Sequence, residues 1–177
     1  MSEELAWPAA AFLDRDGTIN VKAPEGDYVK SPAEVTMIAG AAEAVARLNA
    51  AGIPVFVVSN QRGIALGRMT EADVAAVNAT IGDALAAAGA RVDAWYHCPH
   101  DHDSCDCRKP RPGMLERAAA EHGIADLAQT VVVGDAESDA EAGRRVGAAT
   151  LRIGHDVDDL AAAVDRIVSE ARARTTR

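Results

Sequence analysis

Aromatic side chains are nearly missing from this chain: two Trp, two Tyr and two Phe make up 3% of its 177 residues. Basic residues are in deficit as well, with 18 Lys+Arg against 27 Asp+Glu and a net charge of −9 when His is neutral. Nucleic-acid binding needs a basic footprint and flat rings for stacking, so that class of partner is excluded. The same acidic surface repels anionic lipid headgroups. No apolar run approaches the ~18 residues of a membrane span. The opening MSEELAWPAA carries acids where a secretory signal needs bases. These absences predict a cytoplasmic protein with no membrane association.

Cysteine is scarce too. There are three, and all fall between Cys98 and Cys107. An odd number of clustered thiols in a cytoplasmic chain points to metal rather than disulfides.

What is present is the balance of a soluble globular protein, 49% hydrophobic and 25% charged. At ~150 residues per domain the length predicts one domain over 1–177, with its core at about 10–172. Nothing in the composition demands an oligomer, so a monomer is expected. Short apolar runs at 10–14, 54–59, 92–97, 130–134 and 149–153 read as buried strands. Helical patterns lie between them at 40–50, 70–88, 112–122, 138–146 and 158–173, with Thr70 a candidate N-cap. The polar RTTR end is expected to fray. This alternation predicts an α/β fold: one Rossmann-like, three-layer domain with a parallel sheet of five to six strands. Ligands in such sheets bind where strands end.

The strand ends are polar. Asp14-Arg15-Asp16 follows the first run, Ser59-Asn60-Gln61 the second, and Gly134-Asp135 the fourth. Residues i and i+2 of an extended segment point the same way, which turns Asp14 and Asp16 toward one pocket. Separately, Cys98-x-His100-x4-Cys105-x-Cys107 supplies three thiolates and an imidazole within ten positions. That is a full tetrahedral set for structural Zn²⁺. His97 and His102 are alternatives to His100. Arg108 and Lys109 follow the last cysteine, and Pro110 and Pro112 stiffen the chain beyond them.

FLDRDGTIN resembles the first motif of the haloacid-dehalogenase superfamily of phosphatases. VVSNQ is similar to the second, Lys109 to the basic residue of the third, and VVGDAESD to the acidic fourth. The resemblance spans about residues 10–155 and implies a HAD-like fold. It implies a magnesium-dependent phosphomonoesterase working through an aspartyl-phosphate. Asp14 would be the nucleophile and Asp16 the general acid, then base. Asp14, the Asp16 carbonyl and Asp135 would hold Mg²⁺, with Asp139 orienting them from behind. Ser59 and the Asn60 amide would bind phosphoryl oxygens, and Lys109 would neutralise charge. Neither interval between motifs has room for a cap domain, so the site is expected to be covered only by the 18–38 loop and the zinc loop.

Zinc-bearing, capless members of the superfamily act on heptose bisphosphate or on histidinol phosphate. The stretch at 59–71 and CDCRKPRPGML at 105–115 are similar to the heptose group. The short loop between His100 and Cys105 is closer to the histidinol group. The implied substrate is a small phosphorylated sugar, with Asn60, Arg62 and Arg108 as candidate contacts. A reading from a different class, an inactive zinc-containing binding module, would require a broken acidic set or a missing lysine.

Overall fold

The computed structural model describes residues 7–176. Each apolar run becomes a strand: β1 (Ala11–Leu13), β2 (Val55–Asn60), β3 (Ala94–Cys98), β4 (Val131–Gly134) and β5 (Ala149–Arg152). All pair in parallel, in the order β3-β2-β1-β4-β5, so five strands are present among the described residues. The helices are α1 (Ala41–Ala50), α2 (Glu71–Ala87), α3 (Gly113–His122), α4 (Glu137–Arg145) and α5 (Leu160–Thr175).

Strand alternation divides the core. Ala11, Leu13, Val55, Val57, Val131 and Val133 face one side, against Val45 and Leu48 of α1, Ile81 of α2 and Val164 of α5. Phe12, Phe56, Val58 and Val132 face the other, against Met114 and Leu115 of α3 and Ala142 of α4. Strands buried on both faces need continuous apolar runs, which is why period-2 alternation is absent from the sequence.

The element ends carry local reasons. Thr70 Oγ1 accepts from the Asp73 amide while Asp73 accepts from the Thr70 amide, a reciprocal cap for α2. The regular part of β1 is short, but the ladder continues through Val131 N to Ala10 O and Asp14 N to Val133 O. β3 begins later than the run at 92–97 because Asp93 is spent on Val55, whose amide donates to the carboxylate at 2.8 Å. It also runs one residue further, placing Cys98 on the strand beside Asn60. The last helix runs two residues past the pattern at 158–173, to Thr175, whose hydroxyl donates to the Ala171 carbonyl at 3.1 Å. Arg177 lies outside the described residues.

No cap domain interrupts the sheet. Between β1 and α1 the chain forms only one 3-10 turn, Pro32–Glu34, and is tied back by Val21 N to Thr36 O and Ile38 N to Ile19 O.

Candidate active site

The chain leaves β1 for one side of the sheet, through β2 and β3, and returns to the other side with β4. The switch point is the cleft between the carboxyl ends of β1 and β4. Asp14 follows β1 and Asp135 follows β4, while Ser59 and Asn60 close β2.

Lys109 arrives from the loop before α3 and is 4% exposed. Its Nζ donates to Asp14 Oδ1 at 2.8 Å and to the Val58 carbonyl at 2.6 Å, and lies 2.6 Å from Asp139 Oδ1. Burial works against its charge, but Asp14 and Asp139 outweigh that and raise its pKa from 10.5 to about 12. Burial pushes the Asp14 carboxyl from 3.8 up to about 7; Lys109 pulls it down, and the Asp139 and Asp16 carboxylates add to the rise. A cation is therefore built into the floor of an otherwise anionic cleft.

Asn60 is placed differently from expectation. Its Oδ1 accepts from the Lys109 amide at 3.0 Å and its Nδ2 donates to the Lys109 carbonyl at 3.1 Å. The side chain is tied to the Lys109 backbone, which fixes its orientation at the end of β2. Arg62 donates from Nε to Asp101 at 2.5 Å, across to the loop that carries the cysteines. Arg108 has its Nη1 buried with no protein partner. It lines a hollow of about 220 Å³ with Arg111, Arg145 and Lys109.

Asp16 lies in a cage that the sequence reading missed. Arg15 Nη2 donates to both its oxygens at 3.1 Å, Asn20 Nδ2 to Oδ1 at 2.9 Å, and Gln61 Nε2 to Oδ2 at 2.9 Å. Gln61 also reaches Ser59 Oγ at 3.3 Å. A signal was available: the i, i+2 rule that pairs Asp14 with Asp16 also pairs Ser59 with Gln61.

Carboxylate oxygens of Asp14, Asp135 and Asp139 lie within 4.8 Å of one another. Hard oxygen donors at that spacing suit Mg²⁺. The backbone is shaped around them. At Gly17, with φ +86°, a Cβ would stand 2.4 Å from Asp135 Oδ2; at Gly134 one would stand 2.1 Å from Asp139 Oδ2. Only glycine leaves room for either carboxylate. In the turn after β1 the amides of Thr18, Ile19 and Asn20 all converge on the Arg15 carbonyl, so the Asp16 carbonyl is not among its acceptors. Lys22 sends Nζ to Asp135 at 2.6 Å, so this acidic set already attracts a cation.

The second cluster is sulfur-rich. Cys98 Sγ stands 3.5 Å from Cys105 Sγ and 3.2 Å from Cys107 Sγ, and Cys105 and Cys107 are 3.4 Å apart. His100 Nδ1 lies 3.2 Å from Cys107 and 3.6 Å from Cys98. Bonds of about 2.3 Å to sulfur and 2.0–2.1 Å to nitrogen give tetrahedral edges of roughly 3.6–3.8 Å, so the four atoms fit a Zn²⁺ set slightly drawn in. Burial raises the Cys98 and Cys107 thiols. Burial also opposes ionisation at Cys105, but bonds from the Arg108 amide and the neighbouring thiols win and lower it to about 7. His97 is turned away, 2.5 Å from Glu71, and His102 is exposed, so His100 is the imidazole of the set.

Comparison with known proteins agrees with this arrangement. Residues 3–147 match the haloacid dehalogenase-like hydrolase family. A D-glycero-beta-D-manno-heptose-1,7-bisphosphate 7-phosphatase of Rhodopseudomonas palustris is 39% identical over 158 residues, 84% of this chain and 86% of that one. A D-glycero-alpha-D-manno-heptose-1,7-bisphosphate 7-phosphatase of Mycobacterium tuberculosis is 38% identical over 139 residues, 78% of this chain and 73% of that one. The crystal structure of D,D-heptose 1,7-bisphosphate phosphatase from B. bronchiseptica, complexed with magnesium and phosphate, superposes with a TM-score of 0.82 at 33% identity, covering 91% of this chain and 99% of that one. Motif order, strand-end placement and alignment thus converge: the chain belongs to the haloacid dehalogenase-like hydrolases and is a phosphatase of that family.

Proposed function

We propose that this phosphatase removes the 7-phosphate of D-glycero-D-manno-heptose 1,7-bisphosphate through an aspartyl-phosphate on Asp14. The observation that carries the reading is Lys109, buried between Asp14 at the end of β1 and Asp139 in the first turn of α4. A lysine so placed keeps Asp14 oriented and offsets the charge of an entering phosphate dianion.

In the first half-reaction an Asp14 oxygen bonds to phosphorus as the bond from phosphorus to the sugar oxygen breaks. Asp16 gives its proton to that leaving oxygen. Ser59 Oγ and the Asn60 amide donate to the phosphoryl oxygens. In the second half Asp16 takes a proton from water, which attacks phosphorus and frees Asp14. Asp14, the Asp16 carbonyl and Asp135 would hold Mg²⁺, which neutralises phosphoryl charge when bound. Asp139 steadies that set from behind, through Lys109 and the Ala136 amide at 3.0 Å. Cys98, His100, Cys105 and Cys107 would hold a structural Zn²⁺ with no open position. Clamping the loop immediately before Lys109 leaves that side chain little freedom to lose. Thiols kept as ligands suit a reducing, cytoplasmic setting, and no described helix is long and apolar enough to cross a membrane.

The heptose bisphosphate is favoured by the names of the relatives and by the hollow where Arg108, Arg111 and Arg145 gather. Guanidinium groups suit a second phosphate. Arg62 is tied to Asp101 and is not among the residues lining that hollow.

The test is the initial rate of phosphate release with Mg²⁺ from both heptose anomers, histidinol phosphate and p-nitrophenyl phosphate. The expected result is a kcat/KM at least ~100-fold higher for a heptose bisphosphate, about 2.7 kcal/mol of discrimination. Preference for histidinol phosphate would make the short loop between His100 and Cys105 the better guide to substrate.

A further inference from the structure

Arg15 is the largest fully buried side chain among the described residues, at 0% exposure. A buried guanidinium is costly unless it is paired and hydrogen-bonded. Its pairing is specific. Nη2 donates to both oxygens of Asp16 at 3.1 Å, and Nη1 donates to Asn78 Oδ1 at 2.9 Å. Asn78 lies in α2, 63 positions along the chain. The guanidinium is therefore fixed at one end by a helix of the outer layer and grips Asp16 with the other. Asn20 and Gln61 supply one further donor to each carboxylate oxygen.

All three partners of Asp16 act as donors. They satisfy a carboxylate, which is the form Asp16 takes once its proton has gone to the leaving oxygen. Four donated bonds, two to each oxygen, fix the plane and position of the Asp16 carboxyl group. The group is caged but not closed off, its side chain being 27% exposed.

We propose that Arg15 and Asn78 are positioning residues that aim the Asp16 proton at the leaving oxygen, with α2 as the anchor. The proposal rests on Asp16 being the proton donor of the function above. When phosphorus bonds to Asp14, the bond to the leaving oxygen breaks and the proton of Asp16 moves onto that oxygen. Arg15 then holds the resulting carboxylate in place.

Leaving-group dependence separates this role from simple support of the fold. An alkoxide leaves only with a proton, whereas p-nitrophenolate leaves without one. The ratio kcat/KM is the quantity to read, because it ends at formation of the aspartyl-phosphate. The esters are the heptose bisphosphate, glycerol 3-phosphate as a generic alkyl phosphate, and p-nitrophenyl phosphate. A misplacement of ~1 Å costs about 10²-fold. Arg15→Met should therefore lower kcat/KM for the alkyl esters about 100-fold and for the nitrophenyl ester less than about fivefold. Asn78→Ala, which leaves the buried cation in place and covers the case of a poorly folded Arg15 variant, should give the same selectivity at about tenfold. Asn78→Asp retains an acceptor for Nη1 and should restore most of the alkyl-ester rate. Equal losses on all esters in folded Asn78→Ala protein, or no recovery in Asn78→Asp, would overturn the proposal. Wild-type protein that cleaves none of the esters would instead overturn the parent reading.

Discussion

Lys109 and Asp14 stand 95 positions apart in the chain, and their side chains meet at 2.8 Å where both are almost closed to solvent. Asp139 completes the group from the other side of the lysine. Two acids around one cation leave the cleft short of positive charge, which suits the Mg²⁺ proposed for it. The same imbalance has measurable consequences for stability.

Asp14→Asn should abolish turnover and yet stabilise the magnesium-free protein. The folded state holds the Asp14 proton up to about pH 7, while the unfolded chain releases it near 3.8. The unfolded state then binds fewer protons through that window, so wild-type stability falls as pH rises across it. The Tm advantage of the variant should grow from about pH 4 to pH 7 and then level off. Calorimetry of both proteins over that range checks it; an advantage that shrinks with pH would place Asp14 in a different environment.

Lys109→Met should do the reverse. It leaves Asp14 and Asp139 buried without their cation, and breaking one side of a buried pair costs about 3–5 kcal/mol. Urea unfolding measures the loss. The double variant Asp14→Asn, Lys109→Met should recover part of it, because only Asp139 then remains unpaired. With its pKa raised to about 12, Lys109 should contribute no pH dependence to activity in the neutral range.

Removing zinc should loosen the segment that delivers Lys109. Arg111 donates to the Cys105 carbonyl at 2.7 Å and Gly113 to the Asp106 carbonyl at 3.1 Å, so the cysteine loop also sets the start of α3. Chelation followed by restored Mg²⁺ should depress both activity and Tm, and Cys98→Ser should do the same. Because the ligands bind as thiolates, zinc content should fall as the medium is acidified. Metal analysis alongside the activity assay reads this, and full activity in verified zinc-free protein would remove the zinc from the site's support.

Gly17→Ala should weaken Mg²⁺ binding more than it weakens the fold. The left-handed backbone at φ +86° costs an alanine about 1–2 kcal/mol, and its methyl group would displace Asp135. Titration calorimetry with Mg²⁺ alone should show at least a tenfold weaker Kd, the equivalent of ~1.4 kcal/mol. Unchanged affinity would move the cation away from Asp135.

The order of elements was legible in the sequence because a parallel sheet buries both faces of its strands. Such strands must be apolar runs, and the Ala-rich helices between them stop at Gly52, Gly89, Gly123 and Gly147. Asp14, Ser59 and Asp135 were legible for a related reason, as polar groups that close buried runs and so fall at strand ends, whereas Lys109 was legible only through its resemblance to the third motif. The candidate zinc set was legible because three thiols and an imidazole within ten positions need no tertiary contact to be noticed.

The remainder depended on tertiary contacts. The tie between the Asn60 side chain and the Lys109 backbone had no mark in the sequence. Arg15 carried no assigned role, since alternation turns it away from the pocket of Asp14 and Asp16. Asn78 had no distinguishing mark on α2. The sequence by itself determined which chemistry is present and at which strand ends, because burial and strand periodicity are local constraints. Only the tertiary structure decided which donor meets which acceptor, since hydrogen bonds between residues 45 to 95 positions apart depend on how the helices seat against the sheet.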